Sequence, residues 1–327
     1  MAITVEDFPA LTDDLQSIFN EVARTSIADA RGMELFDVFN TDRRTYDHLI
    51  LHGSSGIRKV TPGEDLPRSH TREGDRIAYT QSYYGVSMAI TKEMRKFELY
   101  NEIETLIRSE GEAAFDLVDQ SMADRLIHGF ESSYLDPYGE VVSNIGPDGQ
   151  PIFSTSHTNP INNETFSNVI REGSTQNAPL SRQAIIDTMN MAKTYKDPAG
   201  LVRPIRLDTI VVPPSQLDLA ERLIGSEYLP GSANNDRNPL YGKIRNIVEW
   251  ERLEVASDGT DASSMWFLAD NNKMKESLKC IFAERPTLDA PEEVYRNKNW
   301  EYTLDYFYVL GNGFPAYIFG SDSSGTV

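Results

Sequence analysis

Two histidine-containing segments hold the side chains whose types and spacing could support chemistry. In HLILH, His48 and His52 are four residues apart, and such a pair can bind Zn²⁺ when both imidazoles lie on one face of a helix. The segment lacks the glutamate that acts as general base in zinc-protease helices, and GSSG follows it directly. The pattern therefore predicts no metal site.

The second segment is STSH, in which Ser154 and His157 bring a hydroxyl and an imidazole close together in sequence. Catalytic groups converge in space rather than along the chain, and this part of the sequence is rich in turn-forming residues. The chain has no glycine-rich loop of the phosphate-binding or dinucleotide-binding type. We therefore predict no catalytic residue and no cofactor. A soluble hydrolase that uses carboxylates or this segment is the alternative from a different class.

Acidic residues dominate the charge of the chain. Its 327 residues include 50 Asp and Glu against 31 Lys and Arg, which gives a formal net charge of −19. Carboxylates are so abundant that their presence does not indicate a pair for acid–base catalysis. The electrostatic field of the net negative charge repels a polyanion such as DNA or RNA. Sequence-specific nucleic-acid binding is therefore disfavoured. A container for DNA would tolerate this charge, and a charge that serves only solubility explains it equally well.

Hydrophobic content and cysteine usage define the broad class of protein. Hydrophobic residues make up 39% of the chain, which is enough for two domains with their own cores. The single cysteine, Cys280, lies in SLKCIFAE and is predicted to be buried, which fits assembly in a cytosol. No apolar run reaches about eighteen residues, and the N-terminal sequence has no signal segment. Nothing in the sequence directs the chain to a membrane.

The first third of the chain is predicted to be one helix followed by extended segments. Leu11–Ala30 has apolar residues at helical spacing, whereas Glu34–Val60 has the pattern of extended chain. Gly53–Thr91 joins a Pro- and Gly-rich stretch to the strand-forming IAYTQSYYGVSMAIT, which predicts a long two-stranded hairpin. An isolated hairpin is marginal in water, so we expect a neighbouring subunit to support it.

The strongest periodic signal runs from Thr91, a candidate N-cap, to about Phe130. A helix of about 35 residues is about 50 Å long, whereas a compact chain of this length has a radius of gyration of about 20 Å. We therefore expect an elongated or flat subunit.

The second half alternates loops, helices and strands. Leu135–Thr175 is rich in turn residues and is predicted to mark a domain boundary. Ser181 is predicted to cap a helix that ends at Tyr195, and Ser215 to cap QLDLAERLIGS. The stretch between these helices, RPIRLDTIVVPP, is a candidate buried strand. The long polar segment LPGSANNDRNPLYGK precedes a C-terminal third of aromatic-rich strands. The class is α+β, without an internal repeat.

Several segments, in a fixed order over nearly the whole chain, are similar to one family. VTPGEDLPRSHTREGDRIAYTQSYYGVSMAITKEM resembles an extended E-loop that leads into a spine helix. FSTSHTNP, LSRQAIIDTMNMA, DPAG and TIVVPPSQLDLAERLI resemble an axial domain, and WFLAD and WEYTLDYFYVLGNG resemble the last strands of a peripheral domain. The family is that of the tailed-phage major capsid proteins of the Hong Kong 97 type, and the Mu-like head subunits are the suggested nearest relatives.

The resemblance implies a Hong Kong 97-type capsid fold with four parts. These are an N-terminal arm (1–52), the E-loop (53–91), a peripheral domain with the spine helix (92–150 and 270–327) and an axial domain (151–269). The E-loop residues expected to contact another subunit are Gly63, Glu64, Arg68, Arg72, Tyr79 and Tyr83. The corresponding residues of the axial loop, Glu227–Lys243, are Leu229, Asn234, Asn235 and Arg237.

The function that the resemblance implies is structural and needs no catalysis. Copies of the chain are expected to form hexamers and pentamers of an icosahedral shell that encloses double-stranded DNA in the virion. Assembly is expected in the cytoplasm of the bacterial host, with a separate scaffolding protein, a portal and a decoration protein as partners. An encapsulin-type nanocompartment shell is the alternative within the same structural class.

Some members of this family join a lysine of the E-loop to an asparagine of a neighbouring subunit. Lys59 is the only lysine between Gly53 and Thr91, and Asn297, Asn299 and Asn312 lie in the predicted peripheral domain. None of them matches the family's crosslinking motif, so we predict no covalent crosslink.

Overall fold

The computed structural model describes residues 8–52, 59–63, 65–66, 72–97, 100–159, 164–197, 201–228 and 237–325. The chain divides into two compact units, each built from three stretches of sequence. Unit 1 comprises Met1–Tyr46, Tyr79–Gln120 and Cys280–Leu310, and unit 2 comprises Asp47–Ala78, Ser121–Lys279 and Gly311–Val327. Helices and strands occur in both units, so the α+β class is confirmed.

The helices are α1 (Phe8–Asp29), α2 (Arg31–Leu35), α3 (Lys92–Lys96), α4 (Tyr100–Ile127), α5 (Arg182–Lys193), α6 (Pro214–Ile224) and α7 (Met274–Ser277). The first thirteen strands are β1 (Asp37–Asn40), β2 (Thr45–His52), β3 (Arg72–Thr80), β4 (Ser82–Ile90), β5 (Ser133–Leu135), β6 (Val141–Ser143), β7 (His157–Thr158), β8 (Thr165–Phe166), β9 (Arg171–Glu172), β10 (Thr175–Gln176), β11 (Thr209–Val212), β12 (Asn246–Glu249) and β13 (Trp266–Ala269). The last four are β14 (Leu278–Leu288), β15 (Glu292–Glu293), β16 (Trp300–Asn312) and β17 (Ile318–Ser321).

The helix caps predicted at Thr91 and Ser181 are confirmed. The Thr91 side chain accepts a hydrogen bond from the backbone N of Met94 at 3.2 Å, and the Ser181 side chain accepts one from Ala184 at 3.0 Å. The prediction for Ser215 was wrong. Pro213 is the N-cap of α6, because the helix begins with a proline, whose fixed φ suits the first helical position. The hydroxyl of Ser215 instead donates a hydrogen bond to the carboxylate of Glu254.

The predicted single helix from Thr91 to about Phe130 is two helices. Thr91 caps only α3, which ends at Lys96 with Phe97 as its C-cap, and the 28-residue α4 begins at Tyr100. At 1.5 Å per residue, α4 is about 42 Å long.

Unit 1 is built on a five-stranded sheet in which β16 pairs with β14, β15 and β4, and β14 pairs with β1. The β4–β16 pairing is antiparallel and runs from Ser82 opposite Tyr308 to Ile90 opposite Trp300. Along β16, buried and half-buried side chains alternate, as expected for a strand with one face on a core. Cys280 in β14 is buried as predicted, and burial raises the pKa of its thiol.

Helix α1 packs closely on the first part of α4 within unit 1. Leu15, Phe19 and Val22 of α1 are buried. A Cβ atom at Gly111 of α4 would lie 3.2 Å from Val22 and 3.3 Å from the Phe19 ring. Glycine at this position therefore permits the close approach of the two helices.

The predicted pairing of the hairpin within Gly53–Thr91 was wrong. β3 pairs with β2, which the sequence had assigned to the N-terminal arm, and β4 pairs with β16. Both strands exist where strand-forming residues predicted them, but each finds its partner elsewhere in the chain. The pairing differs because period-two alternation marks a strand without specifying its neighbour.

Unit 2 contains a four-stranded sheet in the order β12–β11–β13–β17. β11 is parallel to β12 and antiparallel to β13, and all four residues of β11 and of β13 are buried. The core cluster of this unit joins these strands to side chains of α5 and α6. The indole of Trp266 is fully buried and donates a hydrogen bond to the carbonyl of Ala178 at 3.0 Å.

We predict that Gly111→Phe destabilises the chain, because the ring has no space between α1 and α4. The expected loss is about 2 kcal/mol of unfolding free energy, despite the better helix propensity of phenylalanine. Ala113→Phe, on the exposed side of the same helix, is the matched control and should change stability by less than about 0.5 kcal/mol. Urea unfolding monitored by circular dichroism measures both variants. Equal midpoints for Gly111→Phe and the unmodified chain would contradict the helix packing.

Candidate functional site

His157 lies in a buried polar cluster of unit 2. Its Nδ1 is 2.6 Å from Oδ2 of Asp148, and its Nε2 is 3.2 Å from the carbonyl oxygen of Ile152 and 3.0 Å from Oδ1 of Asn168. The side chains of His157 and Asp148 are 1% and 8% exposed. Both ring nitrogens are therefore engaged by acceptors, and neither is available as a base for a substrate.

Asn168 joins this cluster to the C-terminal segment of the chain. Its Nδ2 donates to the carbonyl oxygens of Ile152, Pro315 and Ile318 at 2.7, 3.1 and 3.2 Å. Its Oδ1 accepts a hydrogen bond from the backbone N of Ser154 at 2.9 Å. Sequence analysis missed Asn168, because its partners Pro315 and Ile318 lie about 150 positions away and no local pattern marks such a residue.

Ser154 and His157 do not form a nucleophile–base pair. The Ser154 hydroxyl contacts Gln150 and Ser156, each at 3.5 Å, and it accepts a hydrogen bond from the Ser156 backbone at 3.2 Å. The segment therefore has the turn structure that its composition favoured. A hydrolase built on this pair finds no support in its geometry.

A second buried polar cluster surrounds the C-terminal end of α4 in unit 2. Arg125 is 2% exposed, and its Nε donates to Oδ1 of Asn312 at 2.7 Å. Asn312 in turn donates to the carbonyl of Asn144 at 2.9 Å, and Asn144 donates to the carbonyl of His128 at 2.7 Å. Asn312, one of the asparagines weighed for a crosslink, is thus enclosed in hydrogen bonds within its own subunit.

The other residues weighed for a crosslink lie in unit 1 or on the predicted E-loop. The Asn297 side chain accepts a hydrogen bond from the backbone N of Asn299 at 3.1 Å, and the Asn299 side chain accepts one from Lys92 at 3.3 Å. Lys59 is exposed.

The HLILH segment forms most of strand β2 rather than a helix. Among the described residues, no group of three or more His, Cys, Asp or Glu side chains has a metal-binding arrangement. In the same part of the chain, no helix is both long enough and apolar enough to cross a bilayer.

The six predicted contact residues of the E-loop have different environments. Gly63 lies in a turn with φ +89°, where a non-glycine residue would be strained. Tyr79 is 7% exposed and Tyr83 is 59% exposed, so Tyr83 offers far more surface to another molecule. Arg72 is the first residue of β3. Glu64, Arg68 and the side chain of Arg72 lie outside the described residues.

Tyr83 lies on an acidic, solvent-facing side of the sheet in unit 1. Its ring packs against Phe307 with centroids 4.6 Å apart, and its hydroxyl donates to Oδ2 of Asp305 at 3.1 Å. This hydrogen bond and the charge of Asp305 raise the pKa of Tyr83, and the more distant carboxylates of Asp289 and Glu284 raise it further.

The base of the predicted axial loop is well defined. Tyr228 and Arg237 form an antiparallel bridge, and Asn238 donates to the carbonyls of Leu223 and Ser226 at 2.8 and 2.9 Å. Arg237 is exposed. The other three predicted contact residues, Leu229, Asn234 and Asn235, lie outside the described residues.

Comparison with known families decides how this arrangement is classified. A family model described as phage capsid protein matches residues 74–318 of the chain. The chain belongs to the phage capsid protein family. The match includes most of β3, all of β4 and α4, and the five-stranded and four-stranded sheets apart from β1 and residues 319–321 of β17. No curated protein sequence matches the chain.

Solved capsid structures resemble this capsid protein in fold. They include the mature capsid of bacteriophage PhiM1, the capsid of an empty GTA particle and the capsid of the cyanophage P-SCSP1u, each with a TM-score of 0.51. The PhiM1 protein is 14% identical to this chain, over 89% of this chain and 86% of its own. The GTA protein is 12% identical, over 89% of both chains. The cyanophage protein is 10% identical, over 88% of this chain and 86% of its own. The Hong Kong 97-type fold expected from the sequence is confirmed. A position among the Mu-like head subunits stays a prediction.

We predict that His157→Ala lowers the unfolding free energy by about 3–5 kcal/mol, because the buried carboxylate of Asp148 loses its partner. Ser154→Ala, three residues away, should cost about 1 kcal/mol or less. Chemical denaturation followed by tryptophan fluorescence measures both variants. A fully stable His157→Ala variant that had lost a hydrolytic activity of the unmodified chain would contradict the structural role and favour the hydrolase alternative.

Proposed function

We propose that this capsid protein is the repeating subunit of an icosahedral phage head that encloses double-stranded DNA in the virion. The observation that carries the proposal is the family match over residues 74–318. Mechanistically, the chain acts through repeated contacts between identical copies, each weak alone and strong when many neighbours bind at once. The function needs no catalytic step.

The proposed roles of the parts of the chain follow the four parts expected from its sequence. Residues 53–91 act as the E-loop that lies across a neighbouring subunit, with residues 1–52 as the N-terminal arm. Residues 92–150 and 270–327 form the peripheral domain, and residues 151–269 the axial domain. The exposure of Tyr83 and the turn at Gly63 support a contact role for the E-loop.

The axial loop is proposed to form contacts around the five-fold and six-fold axes. The hydrogen-bonded base at Tyr228, Arg237 and Asn238 supports this role, because a loop that makes specific contacts benefits from fixed ends. Leu229, Asn234, Asn235 and Arg237 are the proposed contact residues.

The proposed partners beyond the chain itself are a separate scaffolding protein, a portal and a decoration protein, and the proposed place of assembly is the cytoplasm of the bacterial host. The net charge of −19 fits a wall that does not bind its DNA contents tightly.

Sedimentation of the purified protein, expressed alone and together with its genomic neighbours, tests the proposed function. We expect particles far heavier than the 36.8 kDa chain, with this chain as their main protein. A single 36.8 kDa species in both preparations would refute the proposal. Heavy particles that hold a cargo protein in place of nucleic acid would favour the encapsulin-type shell.

We predict that replacing residues 229–236 by two glycines preserves the fold and impairs formation of pentamers and hexamers. Tyr228 and Arg237 already form an antiparallel bridge, which a two-residue turn can connect. Tyr138→Ser, at an exposed turn outside the axial loop, is the control and should assemble normally. Thermal unfolding and native mass spectrometry measure fold and assembly. Unimpaired capsomers in the shortened variant would remove the loop from this role.

A further inference from the structure

The two-stranded hairpin β5–β6 in unit 2 exposes apolar side chains. Leu135 lies directly opposite Val141 in the antiparallel pairing, so their side chains are neighbours on one face of the hairpin. They are 53% and 73% exposed, and Tyr138, in the turn between the strands, is 65% exposed. A solvent-facing side of an antiparallel pair usually carries polar residues, and clustered exposed apolar residues mark interaction sites. Leu135, Tyr138 and Val141 are called the hairpin surface below.

The opposite face of the hairpin is fixed to the rest of unit 2. Tyr134 is 8% exposed, and its ring stacks on the imidazole of His128, directly after α4, with centroids 4.9 Å apart. At the base, the backbone N of Asn144 donates to the carbonyl of Ser132 at 2.9 Å. The Asn144 side chain donates to the carbonyls of Arg125 and His128. An isolated hairpin is marginal in water, whereas these contacts hold this one in place.

The turn at the tip is held by its own hydrogen bonds. The Asp136 carboxylate accepts hydrogen bonds from the backbone N of Tyr138 at 2.9 Å and from that of Glu140 at 2.7 Å. The backbone N of Asp136 donates to the carbonyl of Glu140 at 2.9 Å. Gly139 has φ +81°, a conformation that favours glycine. The hairpin surface is therefore preformed, so little conformational entropy is lost when a partner binds it.

The charged residues of the hairpin are all acidic. The sequence has no Lys or Arg between Arg125 and Arg171. Asp136 and Glu140 lie in the turn, and the side chain of Glu131, two residues before β5, is 62% exposed. Contact between the hairpins of two copies would bring like charges together, which is unfavourable. The net charge of −19 also makes a second copy of the chain a repulsive partner on average.

We propose that the hairpin surface docks a different protein, one that presents an apolar pocket bordered by Lys and Arg side chains. Tyr138 is the central anchor, since tyrosine is among the residues that contribute most to protein–protein binding. Glu131 and Glu140 face the basic border, where charge complementarity gives specificity. The inference rests on the proposed function, because it assigns a surface and a chemistry to a partner that is not itself a shell subunit.

Photo-crosslinking from the tip of the hairpin tests the proposal on assembled particles. p-Benzoylphenylalanine is incorporated in place of Tyr138, the chain is expressed together with its genomic neighbours, and the purified particles are irradiated. We expect an adduct with one other protein, at a peptide that contains Lys or Arg beside apolar residues. Adducts only with another copy of this chain, an adduct at an acidic peptide, or no adduct would overturn the proposal.

Point variants test the same surface through the affinity of particles for the crosslinked protein, measured by co-sedimentation. Tyr138→Ser removes the anchor and Glu140→Lys reverses one charge, and each should lower the affinity at least about tenfold. Tyr295→Ser and Glu292→Lys, at exposed positions of unit 1, are the matched controls and should bind normally.

The outcomes separate this inference from the proposed function. Unchanged affinity in Tyr138→Ser or Glu140→Lys particles would refute the docking surface alone. Failure of the unmodified chain to form particles would refute the proposed function as well.

Discussion

Strand β16 imposes the main constraint on unit 1, because it pairs with β14, β15 and β4 while its buried side chains cover the core. Alternation over the first eleven of its thirteen residues fixes the register of every neighbour, since a slip of one residue would expose the aromatic face. β14 is in turn held between β16 and β1, so β1, β4 and the two-residue β15 become the edges of the sheet. The positions of these edge strands therefore determine where a strand of another molecule can pair with the sheet.

Unit 2 depends on a different constraint, the satisfaction of buried polar groups. Asn168 donates to three carbonyls, and His157 lies between Asp148 and Ile152. Each buried carbonyl left without a donor would cost about 1–3 kcal/mol, so these side chains fix loops that have little regular structure of their own. From sequence alone His157 could be mistaken for a catalytic residue, whereas its contacts give it a structural role.

Local signals in the sequence predicted what depends on neighbouring residues. Thr91 and Ser181 cap helices because their hydroxyls reach backbone amides three positions away, and the aromatic, strand-forming residues of WEYTLDYFYVLGNG predicted β16. Strand pairings and hydrogen bonds between residues far apart in sequence were not predictable in this way. Nothing in β3 indicates that it pairs with β2, and nothing near Asn168 indicates that its partners are Pro315 and Ile318. The family resemblance supplied the fold that such local signals leave open.

The most direct test of the account is a cryo-electron microscopy reconstruction of particles made by this chain. A shell subunit of this type should appear as pentamers and hexamers in a closed icosahedral shell, with every copy in the Hong Kong 97-type fold. Preparations that contain only separate subunits, with or without the genomic neighbours, would contradict the central claim that the chain functions by assembling with itself.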